Sequence, residues 1–286
     1  MLDCVGSDFG VICGVMLNLI AACCTMWLCN NSKDKELAMI VFITGASAGF
    51  GAAMARTFVK GGHRVIAAAR RVDKLTALAA ELGSALLPVS LDVTDVASIP
   101  LVLAGLPPEW QAIDVLINNA GLALGVAPAQ QASLDDWDTM IATNNRGLVH
   151  MTRAVLPGMV ARHSGLIINM GSVAGSYVYP GGNVYGASKA FVDHFTLNLR
   201  SDLAGTGVRA TTIAPGLCGG TEFSQVRYKW DENAAANVYK NTEPLTAQDI
   251  ADTAFWIAGL PKHVNINSIE MMPVCQSFAG LAIHRG

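Results

Sequence analysis

From Met39 onward, short apolar runs alternate with stretches of helical length. Runs at 40–43, 64–68, 85–91, 115–117, 166–169, 208–213 and 269–272 read as strands. Their apolar character is continuous rather than alternating, as expected of strands covered on both faces. The long intervening segments supply right-handed helical crossovers, so the pattern predicts a doubly wound α/β sandwich around a parallel sheet of about seven strands. No repeat, low-complexity tract or Pro/Gly-rich linker divides it, which makes 39–286 one domain. The polar stretch 217–245 has no strand character and reads as a mobile lid.

The head of the chain is different. Residues 9–29 carry no charge, which is close to the ~20 apolar residues of a membrane-spanning helix. Five of the seven cysteines (Cys4, Cys13, Cys23, Cys24 and Cys29) precede residue 30. Two readings stay open for 1–38: a membrane anchor, with Lys33 and Lys35 weakly favouring a cytoplasmic remainder, or an extension upstream of a start at Met39. A cleaved secretory signal fits worse, because no basic residue precedes Lys33.

Composition narrows the function. With 52% hydrophobic and 14% charged residues the chain is globular, not disordered. A net charge of −3 gives no basic face for nucleic acid. Cys218 and Cys275 stand in no metal-ligand spacing, so neither a structural metal nor a disulfide framework is expected, and a reducing, cytoplasmic setting is.

The first strand runs into TGASAGFG at 44–51, followed by a helix-compatible segment that Gly61 and Gly62 stop. Gly45, Gly49 and Gly51 permit a tight turn and close backbone approach, and the helix start offers free N–H groups to a pyrophosphate. A dinucleotide site is therefore expected. After the second strand, where NAD sites usually carry an acidic residue, this chain has Arg70 and Arg71; both suit the 2'-phosphate of NADP.

Asn118-Asn-Ala-Gly121 follows the fourth strand, Ser172 precedes Tyr185-Gly-Ala-Ser-Lys189, and Pro215-Gly216 follows the sixth. With TGASAGFG, these motifs make the chain similar to the short-chain dehydrogenase/reductase family from Met39 to the end, which implies a single Rossmann-type domain. On a helix Tyr185 and Lys189 share one face at i and i+4. An ammonium near the phenol and the positive nicotinamide of the cofactor would both favour the phenolate; lowering a tyrosine pKa from about 10 to about 7 takes roughly 4 kcal/mol.

The resemblance implies that Tyr185 is the general acid/base, Ser172 a donor to the substrate oxygen, and Lys189 the partner of the phenol. Asn144 would support a water-linked proton relay; its neighbour Asn145 competes, and Gly147 favours Asn144. It also implies cofactor contacts from Thr44, Ser47, Phe50 and Ala120, from Asp92 and Val93 at the adenine edge, from Asn118 and Gly121 near the adenosine ribose, and from Pro215, Gly216, Tyr185, Lys189 and Thr221. One extra glycine in 218–220 displaces Thr221 from the family spacing.

Stretches at 118–125, 152–159, 181–185, 263–267 and 270–273 resemble family members acting on small 3-hydroxy acids with NADP. Serine, allo-threonine, 3-hydroxyisobutyrate and 3-hydroxypropionate are then expected substrates, and malonic semialdehyde the substrate in reverse. Such substrates need a cation for their carboxylate. Arg227 is the candidate, with Lys229, Lys240, Arg146 and Arg285 as alternatives. A ketoreductase on other carbonyls and a non-catalytic NADP sensor are competing readings. The family also implies a homotetramer, for which 271–281 would suit a contact.

Overall fold

The computed structural model describes residues 38–278. The readings for 1–37, including the possible anchor at 9–29, and for Arg285 lie outside the described residues. Among the described residues no helix is long and apolar enough to cross a membrane.

Seven parallel strands form one sheet: β1 (Ile40–Thr44), β2 (Arg64–Ala69), β3 (Leu86–Ser90), β4 (Val115–Asn118), β5 (Gly165–Met170), β6 (Val208–Pro215) and β7 (Ser268–Met271), in the order β3-β2-β1-β4-β5-β6-β7. The larger helices are α1 (Gly49–Lys60), α2 (Val72–Leu82), α3 (Ser98–Ala104), α4 (Leu134–Ile141), α5 (Leu148–Ala161) and α6 (Asn183–Asp202). Two short ones, α7 (Phe223–Arg227) and α8 (Glu232–Asn237), precede α9 (Ala247–Ala258).

Period-two alternation sends the strand side chains into two cores. Val41 and Ile43 meet Met54 and Phe58 of α1 and Ile250 and Ile257 of α9. Ile40 and Phe42 meet Met151 and Val155 of α5 and Leu199 of α6. Burying such a side chain contributes about 1.5–3 kcal/mol, so both faces hold the sheet in register. The continuous apolar character expected of every strand fails at the edges. β3 alternates between covered and exposed positions, as does β7, because each lacks a neighbour and full cover on its outer side.

The chain builds β1, β2 and β3 outward in one direction, then returns to place β4 on the other side of β1. Ligands of such sheets bind beyond the carboxyl ends of the strands at this reversal. The segment 217–245 folds over the same end. Its ends are pinned together, Gly219 N donating to Leu245 O at 2.8 Å and Leu245 N to Leu217 O at 3.0 Å. It therefore contains helices and fixed ends rather than a formless loop.

Candidate active site

Two cavities open at that end of the sheet. The first, of about 300 Å³, is lined by the glycine turn after β1, the ends of β2 and β4, and the lid. Gly45 and Gly49 have φ of +67° and +52°, which side chains other than glycine rarely adopt. Gly51 serves packing instead: a Cβ there would lie 2.5 Å from Gly45 O. A dinucleotide fits the cradle.

Of the residues assigned to the cofactor from sequence, Gly45, Ser47, Gly49, Phe50, Arg70, Arg71, Asp92, Val93, Ala120, Gly121, Tyr185, Lys189 and Thr221 line this cavity. Thr44, Gly51, Asn118, Pro215 and Gly216 do not. Thr44 is buried, and its hydroxyl accepts from Asn119 N and Ala120 N, both at 3.0 Å, holding the turn after β4. The Asn118 side chain lies inside the sheet, its amide donating to Thr152 Oγ1 at 2.9 Å and Asn169 Oδ1 at 2.8 Å. The neighbouring Asn119 does the work at the cavity, clamping Thr44 O and Gly45 O. Pro215 and Gly216 line the second cavity. Despite its displaced spacing Thr221 reaches both cavities, because Gly220 at φ +68° absorbs the extra residue.

The second cavity, of about 350 Å³, lies between Ser172, Tyr177, Tyr179, Tyr185 and the lid. Phe50, Gly171, Tyr185, Thr221 and Phe223 line both, so Tyr185 stands where the two meet. Ser172, Tyr185 and Lys189 are all buried. Ser172 Oγ accepts from Ala174 N at 3.1 Å, which fixes it at the mouth of β5.

Lys189 does not bond the phenol. Its Nζ donates to Met170 O at 2.7 Å and lies 5.9 Å from the centroid of the Tyr185 ring. Burial lowers Lys189 to about 8, with Asp193 opposing. Burial pushes the Tyr185 phenol up to about 12, and the Ser172 hydroxyl and the Arg227 charge only partly offset this.

Asn144 and Asn145 sit in a π-helical turn, 142–147, between α4 and α5. Asn144 Nδ2 donates to Leu122 O at 2.9 Å and Ser188 Oγ at 3.0 Å, while its Oδ1 accepts from Leu122 N. Asn145 Nδ2 donates to Ser188 O at 2.8 Å. A Cβ on Gly121 would lie 3.3 Å from Asn144 Oδ1 and 3.4 Å from Lys189 Nζ, so both groups flank that glycine.

Among the described cations proposed for the substrate, Arg227 alone lines the second cavity. Its Nη2 donates to Tyr179 OH at 2.8 Å, and its guanidinium stacks 5.6 Å from the Tyr185 centroid. Its Nε is buried with no hydrogen-bond partner among the described residues. Lys229 instead pairs with Asp136 at 2.8 Å, and Lys240 and Arg146 are exposed outside the cavity. Sequence reasoning missed Lys74, Glu222, Tyr179 and Asp193, whose roles depend on partners distant in the chain.

The short chain dehydrogenase family profile matches residues 39–232. The chain is 61% identical over 247 residues to the NADP-dependent 3-hydroxy acid dehydrogenase of Salmonella typhi, covering 86% of this chain and 100% of that one. It is 54% identical over 245 residues to the serine 3-dehydrogenase of Rhizobium radiobacter, covering 86% and 98%. A closed form of serine dehydrogenase complexed with NADP+ superposes with a TM-score of 0.86 at 59% identity, covering 87% of this chain and 100% of that one. Fold, cavity and relatives agree, and the chain belongs to the short-chain dehydrogenase family.

Proposed function

We propose that this protein is an NADP-dependent dehydrogenase that oxidises the C3 hydroxyl of small 3-hydroxy acids and, in reverse, reduces 3-oxo acids such as malonic semialdehyde. The observation that carries the substrate class is the buried, unpartnered Nε of Arg227 in the cavity that also holds Ser172 and Tyr185. A buried donor without a partner is costly, and a substrate carboxylate would satisfy it with a charge-assisted bond. No carboxylate side chain lines that cavity among the described residues, so the charge recognised is the acid's.

With the carboxylate on Arg227, the C3 oxygen would lie between Ser172 Oγ and the Tyr185 phenol. Bound NADP supplies the hydride acceptor in oxidation and the donor in reduction. Tyr185 takes the hydroxyl proton in oxidation and returns it to the carbonyl oxygen in reduction, while Ser172 donates to the developing alkoxide. Lys189 and Asn144, flanking Gly121, lie on the side from which that proton would be relayed. A phenol at about 12 is protonated at neutral pH and suits reduction; oxidation needs the phenolate and rises with pH. Arg70 and Arg71 would hold the 2'-phosphate.

The same reading makes the protein a cytoplasmic homotetramer. Exposed Phe191 and Leu197 on α6, and Val274 and Phe278 after β7, support subunit contacts; sedimentation of the intact chain tests it.

The test of function is an initial-rate panel of serine, allo-threonine, 3-hydroxyisobutyrate and 3-hydroxypropionate with NADP+ and NAD+, with Tyr185→Phe as the blank. Turnover with NADP+ on at least one acid is expected. Silence on all four overturns the substrate class, and preference for NAD+ overturns the reading of Arg70 and Arg71.

A further inference from the structure

The corner where β2 gives way to α2 is occupied from within the chain. Arg70 and Arg71 end the strand region, and Lys74 follows one turn later. Glu222 reaches them from the lid. Its Oε2 accepts from Arg71 Nη1 and its Oε1 from Lys74 Nζ, both at 2.7 Å. The Nε and Nη2 of Arg71 are turned onto Ser47 Oγ, at 3.2 and 3.1 Å. Every nitrogen of the Arg71 guanidinium therefore has an internal partner. Exposed Arg70 has none among the described residues. Next to Glu222, Thr221 lies against the phosphate loop: a Cβ on Gly49 would be 3.4 Å from it.

A carboxylate bridging an arginine fork and a lysine has the sign, acceptor oxygens and distances of a phosphate monoester in the same place. The two anions cannot use the same N–H groups at once, and they repel each other at contact distance. We propose that Glu222 is an internal competitor of the cofactor's 2'-phosphate. Without phosphate it straps residues 221–222 of the lid to Arg71 and Lys74. Arrival of the phosphate displaces the carboxylate, adds Lys74 to the arginines as a phosphate ligand, and releases the strap. A dinucleotide lacking the phosphate leaves the strap fastened, so Glu222 and Lys74 contribute to cofactor selection. The proposal rests on the reading of Arg70 and Arg71 as the phosphate site.

Glu222→Gln keeps the length of the side chain and removes the competing charge. Titration calorimetry with 2',5'-ADP and with 5'-AMP separates the phosphate from the rest of the cofactor. The variant is expected to bind 2',5'-ADP about threefold to tenfold more tightly than the unaltered protein, with 5'-AMP unchanged. Trypsin reports the strap through exposed Lys229 and Lys240 of the lid. In the unaltered protein 2',5'-ADP should speed cleavage there and 5'-AMP should not; in Glu222→Gln cleavage should be fast without ligand.

Unchanged or weaker binding of 2',5'-ADP to the variant overturns the proposal, as does protection of the lid by that ligand, since Glu222 would then complete a closed phosphate site. If the unaltered protein binds 2',5'-ADP no better than 5'-AMP, the assignment of the corner fails and the proposal with it. That outcome is visible before the variant is made.

Discussion

The face of α6 that carries Tyr185 and Lys189 and the strap at 217–245 that carries Arg227 and Glu222 border the same space, but they are held in opposite ways. Tyr185, Ser188 and Lys189 are buried, and Asn144 and Asn145 brace the helix from the π-turn. The strap has helices of only five and six residues, positive φ at Lys229, Trp230 and Asn241, and ion pairs with partly exposed partners. Short helices and exposed pairs supply little stability of their own. On the proposed function, the fixed wall does the proton chemistry and the loosely held wall recognises charge.

The largest effect should come from the fixed wall. Tyr185→Phe removes the proton carrier and keeps the ring, so kcat should fall by about 10²–10⁴ with little change in NADP binding. Stopped-flow hydride transfer and cofactor titration measure the two separately. An equal loss in kcat from a strap substitution distant from Arg227 would break the division between the walls.

Arg227 belongs to the strap but touches both walls, and it sharpens the contrast. Arg227→Ala should lower kcat/KM for 3-hydroxypropionate about 10–100-fold, the size of a lost charge-assisted bond. Its charge also restrains the Tyr185 phenol, so the variant should shift the pH–rate profile for oxidation to higher pH. An uncharged 3-hydroxy ester isolates that second part. Unchanged kcat/KM for every acid would remove Arg227 from the site.

A smaller, selective loss is expected at the cofactor corner. Arg70→Ala should weaken NADP+ by about tenfold and leave NAD+ alone, because exposed Arg70 has no internal bond to lose. Arg71→Ala should also loosen the strap, since Arg71 holds Glu222. Kd values for both cofactors, with trypsin cleavage of the lid, distinguish the two arginines.

The same division explains what the sequence could disclose. The strands of the central sheet were legible because burial on both faces demands apolar runs, which β1, β2, β4 and β5 largely supply, while β6 is buried despite Arg209, Thr211 and Thr212. Tyr185 and Lys189 were legible because four residues make one helical turn. The choice between Asn118 and Asn119 was not: adjacent residues of one strand end face opposite ways, and only the register with β5 sends Asn118 inward to Asn169. Glu222 stands 151 residues from Arg71, a pairing no local spacing encodes. The i, i+4 spacing did not disclose that Lys189 turns to Met170 O, or that burial dominates the environment of the Tyr185 phenol.

The smallest expected effect lies behind the fixed wall and tests whether its rigidity has a cost. Asp193 is one helical turn beyond Lys189, and Cβ atoms on Gly171 or Gly175 would lie 2.6 Å from its oxygens. Its Oδ1 is buried without a hydrogen-bond partner among the described residues. Burial pushes its carboxyl from 3.8 up to about 6; Lys189 opposes this and Glu270 adds to it. Because the folded value exceeds the unfolded one, stability is full below about 3.8 and is lost as pH rises through about 6. Asp193→Asn mimics the protonated form. It should raise Tm by about 2–4 °C at pH 8, a figure kept small because the group is partly solvated, and change it little at pH 4.5. The same variant removes the charge that holds Lys189 up, so the ammonium should be lost at lower pH and the alkaline end of the activity profile should move down with it. Equal Tm shifts at both pH values would mean that packing against the glycines, not charge, sets the contribution of Asp193.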